Sequence, residues 1–96
     1  MSEKKRESFV IADPQTGANL FALWRAKAGD SVRVRQFRGG AGMTARLAEM
    51  GVLPGAILKV VRAERQGPVV VEIRGGKVII GHGMAEKILV ELCREE

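Results

Sequence analysis

A chain of 96 residues and 10.4 kDa has room for one small domain. Its 46% hydrophobic and 28% charged residues are ordinary for a folded chain and exclude disorder. A single cysteine, Cys93, excludes an internal disulfide and any cysteine-pair zinc site, while the net charge of +5 points towards acidic partners.

Residues 1–19 read as an N-terminal tail, with Pro14 and Gly17 breaking any period. The apolar run Phe9-Val10-Ile11-Ala12 is four residues long. A secretory segment needs about 7–15, so no signal peptide is expected. Val10 and Ile11 fit an edge strand. Leu20, Leu23, Trp24 and Lys27 predict a short helical or turn segment ending near Ala28, and Gly29-Asp30 a turn. Ser31–Phe37 alternates, with Val32 and Val34 on one face and Arg33 and Arg35 on the other, which predicts a half-buried strand. Gly39-Gly40-Ala41-Gly42 interrupts it. Thr44–Met50 predicts a helix with Thr44 as N-cap and Gly51 as the left-handed residue that ends it. Pro54-Gly55 predicts a turn.

The remainder reads as strands. These are Ile57–Ala63, Val69–Arg74 and Lys77–Ile80, with a hairpin turn at Gly75-Gly76. Residues 81–87 read as a loop with one helical turn. Ile88, Val90 and Leu92 alternate in a closing strand. About five short strands joined by tight turns predict a mainly β fold, a small antiparallel barrel whose closure removes exposed edges. No stretch nears the roughly 20 apolar residues of a spanning helix.

The charge is not spread evenly. Arg25, Lys27, Arg33, Arg35, Arg38 and Arg46 face Asp30 alone between residues 25 and 46, and the flanking segments balance. That segment suits nucleic acid, anionic lipid or an acidic protein. An ordinary solvated face is the other reading.

Catalytic chemistry finds little support. The one histidine, His82, lies between two glycines, and neither a P-loop nor a nucleophile-elbow motif occurs. No catalytic residue is assigned. His82 and Glu86, four apart, are weak metal candidates, and two ligands do not close a site. Cys93 or Asp13 would join them only through folding. Cys93 reads as a partly exposed thiol and Trp24 as a packing lid. Gly29-Asp30-x-Val32-x-Val34 loosely resembles the KOW motif of small nucleic-acid-binding barrels. Against that reading, single-strand binders stack bases on exposed aromatics and this strand offers Phe37 alone.

The segment Arg46-Leu47-Ala48-Glu49-Met50-Gly51-Val52-Leu53-Pro54-Gly55 resembles the R-L-x-E-[LM]-G-[LVI]-x-P-G signature of the ferrous iron transport protein A (FeoA) family. Leu23-x-x-Ala26-x-x-Gly29, Gly67-Pro68-Val69 and Ala85-x-x-Ile88-x-Val90 are similar to that family's opening turn, middle strand and ending. The resemblance covers about Leu20 to Leu92 and implies an SH3-like barrel over residues 20–96. A similar domain ends iron-dependent repressors of the DtxR type. The resemblance departs in the long N-terminal tail and the unusually basic 25–46 segment.

The resemblance further implies a non-enzymatic accessory or regulatory protein of bacterial ferrous iron uptake. It would lie in the cytosol and reach the inner membrane only through its partner. That partner is the cytosolic part of FeoB, a membrane iron permease with a GTPase domain. No cofactor and no nucleic acid are implied, and a transition metal would be regulatory or adventitious. Leu47, Gly51, Pro54 and Gly55 are read as architectural. A partner groove is expected beside the 44–50 helix, rimmed by Arg38 and Arg46, with Glu49 exposed and Leu23, Met50 and Leu53 as its floor.

Overall fold

The computed structural model describes Ile11–Ala12 and residues 19–93. Most of the remainder of the expected N-terminal tail, Val10 and Asp13 included, lies outside the described residues.

Period-two alternation builds the sheet. In β3 (Ser31–Phe37) Val32 and Val34 are fully buried while Arg33 and Arg35 reach solvent. The same pattern buries Leu58 and Val60 in β4 (Ile57–Ala63) and Val69 and Val71 in β5 (Val69–Ile73). β6 (Gly76–Ile80), β7 (Ile88–Leu92) and two short strands, β1 (Ile11–Ala12) and β2 (Asn19–Ala22), complete it. All pairs are antiparallel, in the order β1-β2-β7-β3-β4-β5-β6.

The expected small antiparallel β architecture is present, with corrections of detail. Seven strands occur among the described residues rather than about five. The hydrogen-bonded order runs linearly from β1 to β6, so the sheet is not closed. The additional strand β2 arises where a helical or turn segment was expected. Leu20 and Phe21 are both buried, and β2 pairs with β7 through Phe21 and Val90. An apolar run of four satisfies either period, and the neighbouring strand decides. A 3-10 turn, Leu23–Arg25, follows.

The β5–β6 turn lies at Arg74-Gly75, one residue before the predicted Gly75-Gly76. Both residues have positive φ, 51° and 85°, as a two-residue hairpin of the mirror-image type requires. The observed register sets Glu72 opposite Lys77, whereas the predicted one would have opposed Arg74 and Lys77. Arg74→Asn should therefore stabilise the protein by about 0.5 kcal/mol, because Asn enters the left-handed region more readily. Urea denaturation measures this.

Helix α1 (Ala41–Glu49) starts three residues before the predicted Thr44. Gly40 is the N-cap, and the Thr44 hydroxyl instead donates back to the Gly40 carbonyl at 3.1 Å. Leu47, fully buried, holds α1 on the sheet. The end of α1 follows the prediction. Gly51 has φ 89°; its N–H donates to the Ala48 carbonyl (2.9 Å) and the Val52 N–H to that of Leu47 (2.8 Å). This is a Schellman cap with Leu47 and Val52 as its buried apolar pair.

Pro54-Gly55 then returns the chain to β3. The Gly55 N–H donates to the Val34 carbonyl (2.6 Å) and the Val34 N–H to the Ala56 carbonyl (2.9 Å). A second helical turn, α2 (His82–Ala85), packs beside the 3-10 turn. Leu92, expected on the inner face of β7, is 43% exposed, while Ile88, Leu89 and Val90 are all buried.

Candidate functional site

The structure divides the cations of residues 25–46 into engaged and free groups. The Arg25 guanidinium lies 4.4 Å from the centre of the Trp24 ring. Desolvation, and then the charge of Arg65, lower its pKa from the ordinary arginine value. The Glu91 carboxylate is shared between Arg33 Nε (3.6 Å) and Arg35 Nε (3.8 Å). A β-bulge between Val34 and Gln36 leaves Arg35 out of the β3–β7 ladder. The Arg33 and Arg35 face of β3 is thus partly neutralised by its own sheet. Glu91→Ala should cost about 0.5–1 kcal/mol by leaving two arginines adjacent, and less in high salt, as thermal unfolding at two ionic strengths would read.

Arg38 and Arg46 are exposed and make no ion pair among the described residues. Arg46 lines an open cleft of about 670 Å³ between α1 and α2, with Gly42 and Met43 on α1 and Gly83, Met84, Glu86 and Lys87 along α2 and its end. The Arg38 N–H donates to the Lys87 carbonyl at 2.7 Å, which brings the backbone of Arg38 to that end of α2.

The expected groove residues do not assemble as expected. Leu23 is fully buried in the core and cannot floor an open groove. Met50 packs against the core, Leu53 is 47% exposed after the helix, and Glu49 is exposed; none of the three lines the cleft. Sequence reasoning missed Met43, Met84 and Lys87. The available signal was the Gly-Met dipeptide, which occurs at Gly42-Met43 and again at Gly83-Met84.

The two weak metal candidates do meet. His82 Nε2 is 3.1 Å from Glu86 Oε2, across one turn. The His82 ring is 5.4 Å from that of Trp24, and its buried Nδ1 has no hydrogen-bond partner. Trp24 is thus a half-buried lid between Arg25 and His82. Among the described residues no group of three or more His, Cys, Asp or Glu side chains could hold a metal. Cys93 is partly buried, with its N–H on the Ser31 carbonyl (2.8 Å). No helix among the described residues is long and apolar enough to cross a membrane.

The family model described as the FeoA domain matches residues 21–92. A protein of Methanocaldococcus jannaschii, provisionally named Fe(2+) transport protein A, is 40% identical over 72 residues, which are 75% of this chain and 87% of that one. Among solved structures, an iron uptake regulatory protein (FeoA) superposes with a TM-score of 0.73 at 28% identity, covering 77% of this chain and 99% of the other. The FeoA protein of Chlorobium tepidum gives 0.69 at 30% identity, with 79% and 73% covered. A manganese-dependent transcriptional repressor gives 0.68 at 28% identity, with 77% of this chain matched to 37% of the repressor. With that match running from β2 to the end of β7, and its R-L-x-E-M-G-V-x-P-G segment forming the α1 cap and the turn into β4, the chain belongs to the FeoA domain family.

Proposed function

We propose that this protein is a cytosolic accessory or regulatory subunit of ferrous iron uptake. It acts by binding the cytosolic part of a FeoB-type membrane permease and carries no catalysis of its own. The observation that supports this reading is the family match across nearly all the described residues, together with one relative named for Fe(2+) transport and another named for iron uptake regulation. Arg38 and Arg46, charged, exposed and unpaired among the described residues, provide the contact surface.

The test is a titration of the purified chain against the permease's cytosolic G domain and C-terminal tail at two salt concentrations. Saturable binding that salt weakens is expected, with Arg38→Glu/Arg46→Glu weakening it about tenfold or more. Absence of binding to either piece, with binding to RNA in parallel, would replace this reading with a nucleic-acid one. A second reading, as a metal-responsive regulatory domain, has the likeness to the manganese-dependent repressor in its favour. It would show as binding to a transcription factor rather than to the permease.

A further inference from the structure

We propose that the cleft between α1 and α2 binds an acidic peptide segment carrying a large apolar side chain. The inference rests on the partner-binding reading and names the chemistry of the bound segment. Two thioether side chains, Met43 and Met84, stand on opposite elements of the cleft. Methionine adapts its shape to varied apolar groups and is over-used where a surface must accept a side chain. Beside them, Arg46 and Lys87 have no ion-pair partner among the described residues, and the described lining sets these two cations against one anion, Glu86, which lies within hydrogen-bond distance of His82. The uncompensated charge of the cleft is therefore positive, and an acidic segment complements it.

The walls are kept clear by two glycines. A Cβ added at Gly42 or Gly83 would meet nothing within 4 Å, so the backbone leaves open space there. The volume, about 670 Å³, lies within the range of ligand-binding clefts. A lipid headgroup fits less well, since surface recognition of anionic bilayers uses clusters of about 4–8 cations. Nucleic acid fits less well because, among the described residues, no aromatic side chain lines the cleft for a base to stack on.

The experiment uses the full chain and a fluorescein-labelled peptide, EDELLEDE. Its controls are QNQLLQNQ, which removes the charge, and EDESSEDE, which removes the apolar anchor. The acidic leucine peptide should bind saturably at about 50 mM salt and at least about tenfold more tightly than either control. Arg46→Glu/Lys87→Glu and, separately, Gly42→Leu should each weaken it about tenfold. Gly42→Leu fills the cleft without removing a packed group, so unchanged circular dichroism and undiminished thermal stability would accompany the loss.

No saturable binding up to about 1 mM, or equal binding of all three peptides, would overturn the proposal. Binding of phosphatidylserine vesicles or oligouridylate instead of the peptide would overturn it in favour of lipid or RNA. The permease separates the two readings. If its cytosolic part binds Gly42→Leu as it binds the wild type, the cleft assignment fails and the partner reading stands. If the peptide occupies the cleft and the permease does not bind, the cleft assignment stands and the partner reading fails.

Discussion

Leu47→Ala should lower the unfolding free energy by about 3 kcal/mol, the middle of the range for a buried leucine truncated to alanine. Leu47 is fully buried and belongs to the core formed by Val32, Val34, Val52, Leu58 and Ile88. Its side chain is the only fully buried one in α1, so the helix rests on it. Its carbonyl also accepts the Met50 and Val52 N–H groups that cap the helix. Truncation therefore leaves a cavity and loosens the attachment of α1 to the sheet.

Small domains have on the order of 5–10 kcal/mol in total, so this is a large fraction. It corresponds to a fall in Tm of roughly 10–20 °C for a chain of this size. The control is Leu53→Ala, six residues on and 47% exposed, for which a change within about 0.5 kcal/mol is expected. Equal effects of the two substitutions in calorimetry would refute the anchoring role of Leu47.

Gly51→Val should cost about 2 kcal/mol or more, by a different mechanism. Gly51 sits at φ 89°, where a β-branched residue is held at high cost. Space is not the obstacle, because an added Cβ would meet only Ile73 Cγ2, at an ordinary 3.6 Å. The penalty lies in the backbone, and the chain can relieve it only by giving up the two cap hydrogen bonds of Gly51 and Val52. Gly51→Asn should then recover about half the loss, since Asn tolerates the left-handed region. Urea denaturation of the three proteins decides the point. An asparagine variant no better than the valine variant would indicate crowding rather than backbone strain.

Both predictions explain why the family signature is where it is. In Arg46-Leu47-Ala48-Glu49-Met50-Gly51-Val52-Leu53-Pro54-Gly55, Leu47, Gly51 and Val52 make the cap, and Pro54-Gly55 makes the turn that bonds to Val34. Arg46 is the member that reaches the cleft. The segment that identifies the family is thus mostly architecture, and a functional contact surface must be sought beside it.

The sequence by itself determined the antiparallel β class, the strands β3 to β5, the helix end at Gly51 and the localisation of the charge surplus. Each depends on neighbours a few residues apart: alternation at Val32 and Val34, a glycine after Met50, cations clustered between Arg25 and Arg46. Tertiary structure alone decided the rest. β2 became a strand because β7 offered it a ladder, and the turn fell at Arg74-Gly75 because that register opposes Glu72 to Lys77. The cleft joins residues about forty positions apart, Met43 and Met84, whose proximity no local period encodes. Glu91, distant in sequence, claimed Arg33 and Arg35, while Arg38 and Arg46 remained free. A side chain's charge is written in the chain, but whether that charge is already satisfied depends on which strand is folded beside it.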